Sequence, residues 1–361
     1  MFFVYKNKNC PVLIWDNEAL ITQLADVRYQ QGRLIGTMEA LASDLQNEAI
    51  LETLILDITK CAEIENIALD EKTVRISIAS KLGMYKRNNK DDCSSADGIT
   101  EVMMDAVVNC NLPLTADRLI FWYENLNQSK EQKKDNSKSK LSKLTKIKKV
   151  VYKVIGKNAA GFRELADKEM SNFINWINTE NNLDPVIKAA IAHLWFVTIR
   201  PFEDGNARIA GIITNMLLAR SDNTSNRFYS MLAQIKASQK QYNSVLEKTQ
   251  SENFDITSWM LWFFGCMKKA LQVTDVILQS VLKKSEFWKI HDKTPLNNRQ
   301  RTVVNTLLRA ETGRVQSSEW AQIAQCSTDT ALRDIKDMIE KGILCKKTKG
   351  GRSTSYELVK F

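Results

Sequence analysis

Arg200-Pro201-Phe202-Glu203-Asp204-Gly205-Asn206-Ala207-Arg208-Ile209-Ala210-Gly211 is the stretch on which the reading of this chain turns. An Asp-Gly-Asn turn runs straight into an apolar segment whose Ile209, Ile212, Ile213, Met216 and Leu217 recur at helical spacing. The first backbone N–H groups of a helix lack intrahelical partners, and the helix dipole favours anions there, so such a junction suits phosphate. Gly205 lets an anion approach the backbone, and Arg208 offers a forked donor. Asp204 is the hard oxygen ligand that Mg²⁺ takes beside phosphates. The same letters also make an ordinary capping turn, and the residues alone leave both readings open.

Helical periodicity dominates on either side. Upstream, Leu20, Leu24, Val27, Gln31, Leu34 and Met38 form one long stripe that continues through Leu41 and Leu45. A second helix is expected over about 48–65, and a third after Asp70, ending at Gly83. Residues 87–98 read as an Asn/Asp/Ser loop, followed by helices from Glu101 to about Asn109 and from Thr115 through Leu126. Val150 to Gly156 is the best strand candidate. Further helices are expected at about 167–180, 185–198, 205–220, 227–250 and 255–284. The pattern changes after Trp288 and Pro295, where helices at 297–309, 317–324 and 328–341 precede a hairpin from Ile343 to Leu358.

At 361 residues the chain is long enough for two or three domains with proper cores, and its composition, 44% hydrophobic and 26% charged, is that of a globular protein. There is no basic stretch followed by an apolar run at the N-terminus, and no apolar segment long enough for a bilayer. Seven cysteines, an odd number without a Cys-x-x-Cys pair, fit reduced thiols. The expectation is a cytoplasmic protein with no membrane contact. The net charge of +9 is unevenly placed. Nine lysines between Gln128 and Lys149 face only Glu131 and Asp135, in a Ser/Lys/Asn tract that reads as a solvated loop. From Glu286 onward, fourteen Lys/Arg stand against nine Asp/Glu on a helical pattern, which favours a polyanionic partner.

The central stretch closely resembles the signature of the Fic (Fido) family, His-Pro-Phe-x-Asp/Glu-Gly-Asn-Gly-Arg-x-x-Arg. The likeness extends through Ala192 to Ile199, Arg227 to Met231, Tyr242 to Glu247 and the N-terminal Trp15-Asp16 and Gly32 to Gly36. It implies a mainly α fold: a Fic helical core with a small β-hairpin flap, an N-terminal helical domain and a C-terminal winged helix-turn-helix. The corresponding domains are 1–86, 87–286 (with a Lys-rich loop at 128–149) and 287–361. Family members typically transfer AMP from ATP to a hydroxyl of a target protein. By position, Asp204 is the Mg²⁺ ligand, Gly205, Asn206 and Ala207 form the cradle, Arg208 is the phosphate clamp and Tyr242 lies on the adenine side.

Three letters depart from the signature. Arg200 stands where the family has its general base, and a guanidinium stays charged and has no lone pair to accept a proton near neutrality. Ala207 replaces a glycine, and Gly211 replaces the second arginine. Cys61-Ala62-Glu63-Ile64-Glu65-Asn66 is similar to the inhibitory Ser/Thr-x-x-x-Glu-Gly/Asn helix of an autoinhibited group, which makes Glu65 the inhibitory carboxylate or else a solvated helix-end acid. His193, mid-helix upstream, reads as a satisfied core residue. The strand at Val150 to Ile155 would belong to the flap that docks a target chain. The expectation is a Mg²⁺–ATP cradle with AMP transfer lost or weak. An active transferase with a non-histidine base stays open, as does a DNA-binding transcriptional regulator whose core senses a nucleotide or partner.

The C-terminal pattern is similar to the winged helix-turn-helix often attached to bacterial Fic proteins. Ser317 and Ser327 or Thr328 are expected N-caps. By that likeness Thr330, Arg333 and Lys336 would face a major groove of double-stranded DNA, and Lys346, Lys347 and Arg352 would touch phosphate. Such modules also form homodimers, and Asp329, Asp334 and Asp337 lie on the would-be reading helix.

Overall fold

The computed structural model describes residues 13–83, 86, 94–131, 160–224, 226–251, 255–309, 313–347 and 354–359. The Lys-rich loop from 132 onward, the strand candidate at 150–156 and Arg352 lie outside these residues. The chain divides into two compact units, Met1–Thr274 and Asp275–Phe361.

The first unit is all helix among its described elements: α1 (Asn17–Glu39), α2 (Ser43–Ile64), α3 (Glu71–Lys81), α4 (Ser94–Val108), α5 (Ala116–Glu131), α6 (Ala160–Thr179), α7 (Pro185–Ile199), α8 (Asn206–Asp222), α9 (Met231–Ala237), α10 (Gln239–Ser251) and most of α11 (Thr257–Ile290). The centre is the pair α7 and α8. Asp184 caps α7 by accepting the N–H groups of Val186 and Ile187, and Pro185 occupies the first helical position. Val186, Ala189, Ala190, Ile191, Ala192, Leu194, Phe196, Val197 and Ile199 are all buried, so α7 is apolar on nearly every side. Helix α8 buries an almost unbroken run from Arg208 to Ala219.

Several sequence expectations shift in detail. The stripe of α1 does not continue through Leu41 and Leu45: the helix ends at Glu39, and α2 begins at Ser43. Residues 94–98 belong to α4 and not to a loop. The helix expected at 227–250 is two helices, α9 and α10, meeting at Ser238, preceded by an irregular stretch in which Ser230 caps α9 through the N–H of Ala233.

A buried polar network joins the first two helices to the centre. Gln31 of α1 donates to Tyr229 at 3.0 Å, and Arg227 donates to Asp222 at 2.8 Å. Asp57 of α2 accepts from Ser230 and, at 3.2 Å, from Asn215 of α8. Burial pushes the Asp57 carboxyl up to about 6, against the lowering effect of Ser230, Arg227 and Asn215. His193 is core, as expected. It is fully buried between Thr214 (3.0 Å) and Tyr242 (3.2 Å), and desolvation pulls its pKa down to about 3.

The second unit runs α12 (Asn298–Arg309), β1 (Arg314–Gln316), α13 (Ser317–Ile323), α14 (Thr328–Glu340), β2 (Leu344–Lys346) and β3 (Ser355–Leu358). The strands form one antiparallel sheet in the order β1-β3-β2, with Val315 opposite Tyr356 and Cys345 opposite Glu357. Its core gathers Phe287, Val303, Leu307, Val315, Trp320, Ile335 and Met338. Ser327 caps α14 as expected, but the cap of α13 is Gln316, one residue before Ser317, with Glu319 closing the box by accepting the N–H of Gln316.

Candidate functional site

The loop between α7 and α8 is built by two left-handed residues and one side-chain clasp. Arg200 ends α7 at φ 51°, its N–H bonded to Phe196 O at 3.0 Å, and Pro201 blocks continuation of the helix. Gly205 turns the chain into α8 at φ 72°, and a Cβ there would lie 3.2 Å from an Arg208 guanidinium nitrogen. Asn206 closes the loop. Its Oδ1 accepts the N–H of Phe202 at 3.0 Å and its Nδ2 donates to Phe202 O at 2.8 Å, so one buried amide satisfies both backbone groups of that residue. Gly205 has no side chain to cap α8, so the helix start keeps the character that attracts anions. Ala207 lies in the first turn of α8 and is not among the positive-φ residues, so its Cβ costs no backbone strain.

Helix α5 supplies the wall. The ring of Tyr123 stacks on Phe202 with centroids 4.5 Å apart and planes within 5°. Its hydroxyl donates to Asp204 Oδ1 at 3.4 Å, and burial together with Asp204 and Glu203 pushes the phenol up to about 12. One turn further on, Leu126 O accepts from Arg208 at 3.3 Å and Asn127 Oδ1 at 3.2 Å. Arg208 is fully buried, and its Nε lies 3.6 Å from Glu65 Oε1.

Glu65 is delivered by the end of α2. Asn66 takes φ 58°, its N–H reaches Glu63 O, and Ile67 N–H reaches Ala62 O at 3.1 Å, a Schellman cap that fixes how the chain leaves the helix. Cys61, on the same helix, is fully buried, and desolvation pushes its thiol up to about 12. Glu65 thus faces Arg208, in the first turn of α8. Further along α8, a Cβ on Gly211 would lie 2.3 Å from Leu232 Cδ2, so that leucine must shift for any side chain to enter.

The sequence-derived residues therefore separate. Asp204, Gly205, Asn206, Ala207 and Arg208 come together at the loop, Glu65 meets them from α2, and Arg200 is exposed at the loop's entry. Tyr242 sits elsewhere: it is buried among His193, Trp259 and Trp262 with its hydroxyl against His193. Tyr123, Leu126 and Asn127 were not anticipated, because nothing local in α5 marks them out. Mg²⁺ is usually held by one or two carboxylates plus the phosphates it bridges. Asp204 is half-buried with the exposed Glu203 beside it, and among the described residues no three His, Cys, Asp or Glu side chains gather as a metal site. That donor set fits a cation that takes its remaining ligands from phosphates.

In the second unit, Asp334 is turned inward. It is buried and accepts from Arg299 (2.9 and 3.1 Å) and Asn297 (3.1 Å). Asp337 accepts from Gln300 and Lys341. Arg333, Lys336, Lys346 and Lys347 are exposed, with Lys347 paired to Glu357 at 2.9 Å; Thr330 is half-buried with its hydroxyl on Ser327. No described helix is long and apolar enough to cross a membrane.

Residues 114–218 match the family model described as Fic/DOC family, and residues 3–84 match a domain of unknown function, DUF4172. The protein adenylyltransferase Fic of Drosophila mojavensis is 35% identical over 106 residues, 29% of this chain and 20% of the relative. The protein adenylyltransferase fic-1 of Caenorhabditis briggsae is 35% identical over 69 residues, 19% of this chain and 14% of the relative. The alignments thus span a fifth or less of those curated relatives. Among solved structures, Fic-1 (aa134 - 508) from C. elegans aligns at 17% identity and TM-score 0.48, covering 72% of this chain and 74% of that one. A Fic domain containing signaling protein from Bacteroides thetaiotaomicron aligns at 16% identity and TM-score 0.46, covering 70% and 96%.

Proposed function

We infer, on the premise that residues 114–218 are a Fic/DOC domain, that this protein binds a Mg²⁺–nucleotide such as ATP at the Asp204–Arg208 loop and transfers AMP weakly or not at all. The observation that carries the reading is the coexistence of an intact loop with a base position that cannot act. Asn206 holds both backbone groups of Phe202, Gly205 makes the left-handed turn and Asp204 is within reach of solvent. Arg200, exposed at the entry, offers a charge for phosphate and no lone pair for a target hydroxyl. Loss of a positioned general base costs roughly 10²–10⁴ in rate. Mg²⁺, when bound with a nucleotide, supplies charge neutralisation at the phosphates; the chain's own part is to orient Asp204 and present the start of α8.

Glu65 is read as the regulatory carboxylate. Its ion pair with Arg208, together with Leu126 O and Asn127, directs the guanidinium at protein acceptors in place of a phosphate. Calorimetric titration of the full chain with ATP and MgCl₂ tests both points. Tighter binding in Glu65→Ala than in the unaltered chain is expected, with little or no labelled AMP appearing on any protein. No heat at millimolar ATP would sink the cradle, and robust AMP transfer by the unaltered chain would overturn the impaired activity.

The second reading, a DNA-binding regulator, draws on the order helix, strand, helix, helix, hairpin in residues 298–358 and on the inward turn of Asp334. That turn removes one acidic group from the face bearing Arg333 and Lys336, in keeping with a winged helix that approaches phosphate.

A further inference from the structure

We propose that Tyr123 is a positioning residue for Asp204, orienting the carboxylate toward the divalent cation that accompanies a nucleotide; the proposal rests on the nucleotide reading of the loop. The phenol is held on both sides of its function. Its ring lies flat on Phe202 at 4.5 Å, and Phe202 is itself pinned through both backbone groups by Asn206. The hydroxyl is therefore fixed in the frame of the loop that carries Asp204, and it donates to Oδ1 of that residue at 3.4 Å. An ionised carboxylate has about four lone-pair sites, so it can accept the phenol and still ligate a cation.

Helix α5 thereby steers both ends of the loop's polar equipment. Tyr123 addresses the acid, while Leu126 O and Asn127 Oδ1 address Arg208, and Asn127 Nδ2 in turn donates to Tyr123 O at 3.1 Å. A tyrosine kept only for packing would need the ring alone, which phenylalanine also supplies. The hydroxyl is the part that phenylalanine lacks, and it donates to the carboxylate proposed to hold the metal.

The test uses the full-length protein and ATP as probe, titrated once with MgCl₂ and once with EDTA. Tyr123→Phe is expected to weaken Mg²⁺–ATP binding about fivefold, the worth of one ordinary hydrogen bond, with only a small fall in Tm and no change in the EDTA titration. In an Asp204→Asn background the same change is expected to have no further effect. Equal weakening with and without Mg²⁺, weakening that persists in Asp204→Asn, or no weakening at all would each overturn the proposal while leaving the nucleotide reading intact. If the unaltered protein bound no Mg²⁺–ATP, that reading would fall and Tyr123's role with it.

Discussion

At the scale of single residues, the space beside Gly211 is set by packing. Gly211 lies against Leu232, which occupies the volume that any side chain there would need. Gly211→Ala is expected to destabilise by about 1–3 kcal/mol through overpacking, and Leu232→Ala by about 2–5 kcal/mol through the cavity it leaves. Made together they should cost clearly less than the sum, because the new methyl enters the space the leucine vacates. Strict additivity in urea denaturation would show that the two sites do not share that volume. Under the proposed reading, Arg200→His is expected to restore little AMP transfer, because it changes position 200 alone and leaves Ala207 and Gly211 as they are; robust transfer of labelled AMP by that variant would refute this. The turn at Gly205 and the helix start after it were legible because their letters are contiguous. The fate of Arg208 was not: Asn127 and Leu126 lie 81 and 82 residues away, and Glu65 arrives on another helix. No local pattern encodes which acceptors a buried guanidinium will find.

At the scale of elements, legibility followed the strength of the end signals. Asp184-Pro185 opens α7 and Pro201 closes it, and Asp70 caps α3 through the N–H of Thr73. The break after Glu39 went unseen because Leu41 and Leu45 keep the apolar phase of the preceding stripe. The strand β1 spans only Arg314–Gln316, too short to show alternation, and is set by its pairing with β3. In the same unit, α14 exposes Leu332 (44%) and Ile339 (38%) beside Arg333 and Lys336, so its outer face mixes charge with apolar surface. If that face meets duplex DNA, Lys346→Ala should weaken retardation of a duplex and reduce the salt slope by about one. Lys347→Ala should matter less, because Glu357 already neutralises that amine. Absence of retardation at low salt would remove the DNA reading and leave the mixed face to a protein partner.

At the scale of the whole molecule, the buried polar groups set how stability responds to acid. His193 has its pKa lowered from 6.5 to about 3, so between those values the unfolded chain binds the proton and the folded chain does not. Its contribution is fully present above pH 6.5 and falls as pH drops toward 3. Asp57, raised from 3.8 to about 6, acts in the opposite sense: its folded form gains as pH falls through that window. The two partly cancel in the intact protein, so the comparison with His193→Gln isolates the histidine. The stability gap between the two proteins is expected to narrow by roughly 1.4 kcal/mol per pH unit between pH 6 and 4. A gap independent of pH in urea titrations would mean that the imidazole is reached by protons in the folded state.

The fit of Leu232 over Gly211 also bears on which sequences are neighbours of this one. A side chain at position 211 requires Leu232 to move or to be shortened. Shortening it alone opens a hole worth about 2–5 kcal/mol, a large share of the roughly 5–15 kcal/mol that keeps a domain folded. A larger residue at 211 is therefore expected to be borne best alongside a smaller one at 232, each change relieving the cost of the other.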